Sequence, residues 1–135
     1  MAQEYVDTSA LIALGDSRDA NHGRAVQHFR DELSRGTRFT VGKPVLVEYI
    51  DGVTKRVGKD KAMKELAAIL GSRLVSMVSE TGTDWNRALS HFRDYSKMRI
   101  DLTDAMSFAI MERLHMKVAF TFDSDFAAHG IRVVP

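Results

Sequence analysis

The chain has 135 residues, with 19 Lys+Arg against 18 Asp+Glu, a formal net charge of +1, five His, two Pro and no Cys. That length suits one domain spanning residues 1–135 with its own core, and 44% hydrophobic with 27% charged residues excludes disordered and fibrous classes. The lack of Cys excludes a disulfide framework, cysteine zinc or iron–sulfur sites and a thiol nucleophile. The opening residues carry no basic region and no apolar run of signal-peptide length. No stretch approaches the ~18–20 apolar residues of a membrane helix. A cytoplasmic protein with no membrane partner is expected.

Short β-like runs alternate with longer helical ones. Residues 4–6 form a brief strand, ended by Asp7-Thr8-Ser9, all good N-caps for a helix over 10–14 that Gly15-Asp16 stops. His22, Val26, Phe29 and Leu33 recur at helical spacing up to Gly36. Residues 39–41 are a second strand. Pro44 then suits a first helical turn, because its missing N–H would be unpaired there. That helix carries Val45, Leu46, Tyr49, Ile50 and Val53 to Gly58, and Met63, Leu66, Ala67 and Leu70 mark the next, to Gly71. Residues 74–78 are a third strand, and Trp85, Ala88, Leu89, Phe92 and Tyr95 a further helical stripe read as core. Helix 102–114 is apolar on most sides, with Met106 and Met111 as core fillers, and 118–122 and 131–134 complete the strands. Strands separated by helices define an α/β fold: a mostly parallel sheet of four or five strands, helices on both faces, crossovers right-handed.

Open parallel sheets bind ligands at the carboxyl ends of their strands. Asp7 directly follows the first strand. Asp123 follows the core of the fourth, with Asp125 two residues on. Asp104 lies in the first turn of the buried helix, which runs antiparallel to the fourth strand across a short link, so Asp104 returns to the same edge. Glu48 is about one turn into the helix after the second strand. Topology alone therefore gathers Asp7, Glu48, Asp104 and Asp123. Such carboxylates raise one another's pKa, and burial adds to this. A hard divalent cation restores the ionised forms. An all-oxygen set without Cys or a suitably spaced His pair favours Mg²⁺ or Mn²⁺ over zinc, which suits water activation and phosphodiester chemistry. Each acid also has a plain structural use. Asp7 and Asp104 suit helix caps, with Asp101 able to share the second, Glu48 suits a solvated helix face, and Asp123 and Asp125 suit a turn.

Tyr5-Val6-Asp7-Thr8-Ser9-Ala10-Leu11, Val45-Leu46-Val47-Glu48, Leu102-Thr103-Asp104-Ala105 and Thr121-Phe122-Asp123-Ser124-Asp125-Phe126 occur in that order across nearly the whole chain. This pattern resembles the PIN-domain nucleases, particularly the VapC-type toxins of bacterial and archaeal toxin–antitoxin pairs. The resemblance implies a PIN domain and a metal-dependent endoribonuclease. Asp7 and Asp104 would be the principal Mg²⁺ (or Mn²⁺) ligands, and Glu48 and Asp123 would complete the acidic site directly or through water. Thr8 and Thr121 match hydroxyl positions that could orient a carboxylate or water, and Asp125 is an extra acid of the last motif. It further implies an RNA substrate, a homodimer and a cognate VapB-like antitoxin. The competing reading is a non-catalytic RNA-binding or regulatory module on the same fold, against which stands the presence of all four acids. A haloacid dehalogenase-like phosphatase would want a second Asp where Ser9 stands.

The five His show no metal-ligand spacing and read as surface or packing residues. Residues 36–43 fail as a phosphate loop, with five residues between the glycines and Pro44 where Ser or Thr is needed. Arg18, Lys43, Lys97 and Arg99 flank the edge and suit either RNA phosphates or plain solvation. Setting aside Asp7, Glu48, Asp104, Asp123 and Asp125 leaves 19 basic against 13 acidic residues, or +6. The near-neutral total thus conceals an acidic pocket on a moderately basic body.

Overall fold

The computed structural model describes residues 2–95 and 99–135. Lys97, one of the flanking cations, lies outside them. Five parallel strands, β1 (Gln3–Val6), β2 (Arg38–Gly42), β3 (Val75–Val78), β4 (Val118–Phe120) and β5 (Arg132–Val134), lie in the order β3-β2-β1-β4-β5. The helices are α1 (Thr8–Gly15), α2 (His22–Ser34), α3 (Lys43–Arg56), α4 (Lys59–Gly71), α5 (Gly82–Asp94), α6 (Leu102–Arg113) and the four-residue α7 (Asp125–Ala128). The sheet is wholly parallel where a mostly parallel one was expected. Strand four stops at Phe120 instead of 122, because after Thr121, whose N–H still donates to Val134 O at 3.0 Å, the chain turns into α7, an element too short to show a helical period.

Side chains alternate across the sheet. On one face Phe39 and Phe120 meet α2, with Phe29 and His28 each 4.8 Å away by ring centroid. On the other, the Tyr5 hydroxyl donates to Ser107 Oγ of α6 at 2.8 Å. Helices therefore cover both faces. Gly42 ends β2 directly against that Tyr5 hydroxyl, where any Cβ would collide. The apolar core runs through Tyr5, Val6, Phe39, Val41, Phe108, Ile110 and Phe120, all nearly or fully buried.

The α5 stripe does not pack as the sequence pattern implies. Trp85 and Phe92 are 41% and 45% exposed, not core. The helix instead turns Asp84 and Ala88 inward. Ala88 seats against Ala105 and Ala109 of α6 in a small-residue contact. Asp84 receives Arg113 Nε at 2.9 and 3.2 Å on its two oxygens, while its Oδ2 accepts from Thr81 N and Thr81 Oγ1 accepts from Asp84 N. Close backbone approach and a buried ion pair set that face, not the largest side chains.

Helix α6 ends with His115 at φ 55°, Met116 N donating to Met111 O and His115 N to Glu112 O, a left-handed helix cap. That reversal sends the chain into β4 antiparallel to α6, as the short link implied. No helix among the described residues is long and apolar enough to cross a membrane.

Candidate active site

The chain progresses outward from β1 through β2 to β3, then crosses back to β4. The direction of winding therefore reverses between β1 and β4, and a crevice opens beyond their carboxyl ends. Asp7 sits there, 4% exposed, its N–H donating to Phe120 O at 3.0 Å. It stands at the N-cap of α1, but its side chain makes no cap bond. Instead Thr121 Oγ1 donates to Asp7 Oδ2 at 2.8 Å and Ser9 Oγ to the same oxygen at 3.1 Å. Thr121 Oγ1 in turn accepts from Asp123 N at 3.0 Å, and Ser9 Oγ from Phe122 N at 2.9 Å. The two hydroxyls lie 3.1 Å apart. Each gives one bond and takes one, so the network is closed around Oδ2. It leaves Oδ1 without a hydroxyl donor among the described residues.

Asp104 is the third residue of α6. Asp101 is the cap: its Oδ1 accepts from Asp104 N at 2.8 Å, and Asp101 N reaches back to Asp104 Oδ2 at a long 3.3 Å. Asp101 and Asp104 thus form a capping box, so Asp104 has the expected capping contact, shared with Asp101, beside its place at the edge. Burial and the charges of Asp101, Asp7 and Asp123 push the Asp104 carboxyl up to about 8. Burial also raises Asp7, with Asp123 adding to it against the hydroxyl bonds and the Thr8 amide, which lower it. Asp7, Asp104 and Asp123 are therefore within electrostatic reach of one another, and they come from three separate elements. No ion pair to a basic side chain relieves any of them among the described residues.

Asp123 is half-buried, and one of its oxygens accepts from Asp125 N at 2.9 Å, so it shapes the turn as well as facing the acids. Asp125 opens α7. Glu48 is half-buried six residues into α3, whose first turn starts at the same edge, and it makes no side-chain hydrogen bond among the described residues. Thr8 Oγ1 is buried without a partner. Lys43 and Arg99 are exposed beside the edge. Arg18 is not there: it bonds Asp16 and shares a pocket with Val53 and Arg56 at the far end of α3.

Ser9 is the site residue that sequence reasoning passed over. Its spacing two residues beyond Asp7 was visible, but it read as one of three interchangeable caps. Two histidines assigned to packing also do more: His91 and His129 converge on Glu112, at the opposite end of α6 from Asp104.

The sheet is wholly parallel and the acids at its switch point have no basic partner among the described residues; residues 5–131 match the PIN domain family, to which the chain belongs. Nucleases of this family use a divalent metal. The chain is 31% identical over 126 residues to the 23S rRNA-specific endonuclease VapC20 of Mycobacterium tuberculosis, covering 93% of each chain. The crystal structure of that protein, described as a sarcin–ricin loop cleaving toxin, superposes with a TM-score of 0.84 at 30% identity, covering 94% of this chain and 95% of that one. A DNA-bound VapBC of Salmonella typhimurium shares the fold, with a TM-score of 0.72 at 15% identity and coverage of 99% and 98%.

Proposed function

We propose that this chain is a Mg²⁺- or Mn²⁺-dependent endoribonuclease, the toxin of a VapBC-type pair. What supports this reading is the placement of Asp7, Asp104 and Asp123 past the strand ends at the switch point, with the acids of Asp7 and Asp104 raised by burial and by neighbouring carboxylates and no basic partner among the described residues. The residues fit a hard divalent cation. The donors are all oxygen, the partnerless Thr8 hydroxyl adds another, and positive charge would reverse the upward pKa shifts. Asp7, Asp104 and Asp123 hold the ion in this reading, with Glu48 acting directly or through water.

When bound, the ion supplies a water of lowered pKa and offsets charge developing on the phosphate. The protein's own groups do the rest. Thr121 and Ser9 fix the Asp7 carboxylate through Oδ2, so its remaining lone pairs keep one direction. The Asp101 amide, at a long 3.3 Å, fixes the orientation of the Asp104 carboxyl at the start of α6. Asp123 or Glu48 takes the proton of the attacking water. Lys43 and Arg99 bind flanking phosphates.

Likeness to VapC20 makes 23S rRNA the first substrate to test. The partners in this reading are a VapB-like antitoxin that covers the site and a second copy of the chain, and the compartment is the cytoplasm. The decisive assay incubates purified protein with 23S rRNA in Mg²⁺, Mn²⁺ or EDTA, beside Asp7→Asn and Asp104→Asn. Cleavage is expected only with metal and only in the parent. Full cleavage by both variants would overturn the site, and metal-dependent binding without cleavage of any RNA would favour the non-catalytic reading.

A further inference from the structure

The end of α6 remote from Asp104 carries a second cluster of a different chemical kind. His91 comes from the last turn of α5, Glu112 from the last turn of α6, and His129 from the residue after α7. His129 Nε2 lies 2.9 Å from Glu112 Oε1, and His91 Nε2 lies 2.6 Å from the same oxygen. One ligand atom from each lies within 4.8 Å of the others. Two imidazole nitrogens crowd a single oxygen, and only the His129 contact has hydrogen-bond geometry. His91 Nε2 is buried with no hydrogen-bond partner. It approaches the oxygen closely but off the direction an N–H would need.

The rings are held before any ligand arrives. His129 stacks on Phe108 at 4.3 Å and 10°, and meets His91 edge-on at 4.7 Å. Behind it, the Tyr95 hydroxyl lies 2.6 Å from His129 Nδ1, the kind of outer contact that fixes the tautomer and orientation of a metal-binding imidazole. Arg87 Nη1 holds the other Glu112 oxygen, leaving Oε1 to the histidines. The side chains are 14–28% exposed, so an ion can enter.

We propose that His91, Glu112 and His129 form a zinc-binding site that joins α5, α6 and the α7–β5 corner, separate from the acidic edge. Two imidazoles and a carboxylate suit a borderline transition ion, unlike the all-oxygen set around Asp7. Tetrahedral bonds of about 2.0–2.1 Å place ligand atoms ~3.3 Å apart. The observed 2.6 and 2.9 Å therefore open by about half an ångström as the ion replaces the crowded contact. Water completes the coordination. The other close His–carboxylate group, Glu4–His28–Glu32, is already satisfied: His28 bonds Glu4 at 2.7 Å, and Thr37 and Arg35 occupy Glu32. It serves as the internal comparison.

The test uses untagged full-length protein, stripped with chelator and dialysed, carrying Asp7→Asn and Asp104→Asn to silence the acidic edge. Zn²⁺ titration calorimetry should find one equivalent bound, with a rise in Tm. His91→Gln and His129→Gln should each weaken binding more than ~100-fold and abolish the Tm rise. Tyr95→Phe should weaken it ~10–100-fold, the cost of losing an outer-shell partner. His28→Gln should leave it unchanged. Zinc-edge X-ray absorption on the unaltered-cluster protein, which needs no folding variant, should report two imidazole ligands. Absence of stoichiometric zinc, parent-like affinity in both histidine variants, or a histidine-free first shell would overturn the proposal.

Discussion

Asp104→Asn should make the metal-free protein more stable at alkaline pH while destroying its activity. The Asp104 carboxyl is raised from 3.8 to about 8 by burial and by Asp101, Asp7 and Asp123. Its folded-state pKa therefore lies above its unfolded one, and the native chain holds an extra proton between about pH 4 and 8. Stability from that proton is fully present below about pH 4 and is lost as pH rises through about 8. A shift of about four units has a ceiling of about 6 kcal/mol at ~1.4 kcal/mol per unit. Asp7 and Asp123 share the repulsion and titrate with it, so the expected gain from removing the charge is about 2 kcal/mol. Asparagine keeps the shape, and its carbonyl still accepts from Asp101 N.

The assay is urea denaturation of parent and Asp104→Asn protein in EDTA at pH 4.5 and pH 8.5. The variant's advantage should be near zero at pH 4.5 and about 2 kcal/mol at pH 8.5. Mg²⁺ or Mn²⁺ should then stabilise the parent and not the variant, because only a chain that binds the ion gains from it. A variant less stable than the parent at pH 8.5, or equally favoured at both pH values, would refute the claim that Asp104 is held ionised at a cost.

Three further outcomes follow from single contacts. Thr121→Val removes the donor to Asp7 Oδ2 and the acceptor of Asp123 N, so RNA cleavage should fall at least about tenfold and stability by about 1–3 kcal/mol, measured by timed RNA gels and urea melts. Asp84→Ala strands Arg113 and empties the α5 cap, and should cost about 3–5 kcal/mol in denaturation while cleavage per folded molecule is unchanged. Gly42→Ala drives a Cβ into the Tyr5 hydroxyl and its Ser107 bond, and should lower stability by about 1–3 kcal/mol in thermal melts.

The sheet and the acidic edge were legible because their signals are local or topological. Strand runs and helical stripes carry their own periods, and Asp7 and Asp123 lie just past strand ends. Asp104 returns to that edge because a link of four residues, 114–117, cannot let α6 do anything but run antiparallel to β4. What stayed hidden depends on contacts that no spacing encodes. Ser9 matters through its bond to Phe122 N, more than a hundred residues away. His91, Glu112 and His129 meet only once α5, α6 and α7 are packed. Trp85 and Phe92 misled because size suggests burial, whereas α5 approaches α6 through Ala88, Ala105 and Ala109, where only small side chains allow the helices so close.

Asp84 and Asp104 show how one local motif takes opposite roles. Each is a buried aspartate at the third position of its helix, locked in a reciprocal bond with the capping residue, Thr81 in one case and Asp101 in the other. Local sequence does not separate them. Their surroundings do. Asp84 faces Arg113, whose Nε bonds both its oxygens and whose Nη2 reaches Ser79 O, so its charge is answered within the fold. Asp104 faces Asp101, Asp7 and Asp123, so its charge is opposed. A fold selected for stability alone would place a cation beside both. The chain has 19 basic residues, yet among those described none pairs with the acids of the carboxyl edge. In the proposed reading a bound cation supplies the missing positive charge, and it is this contrast within one molecule, more than any single acid, that supports the edge as the site.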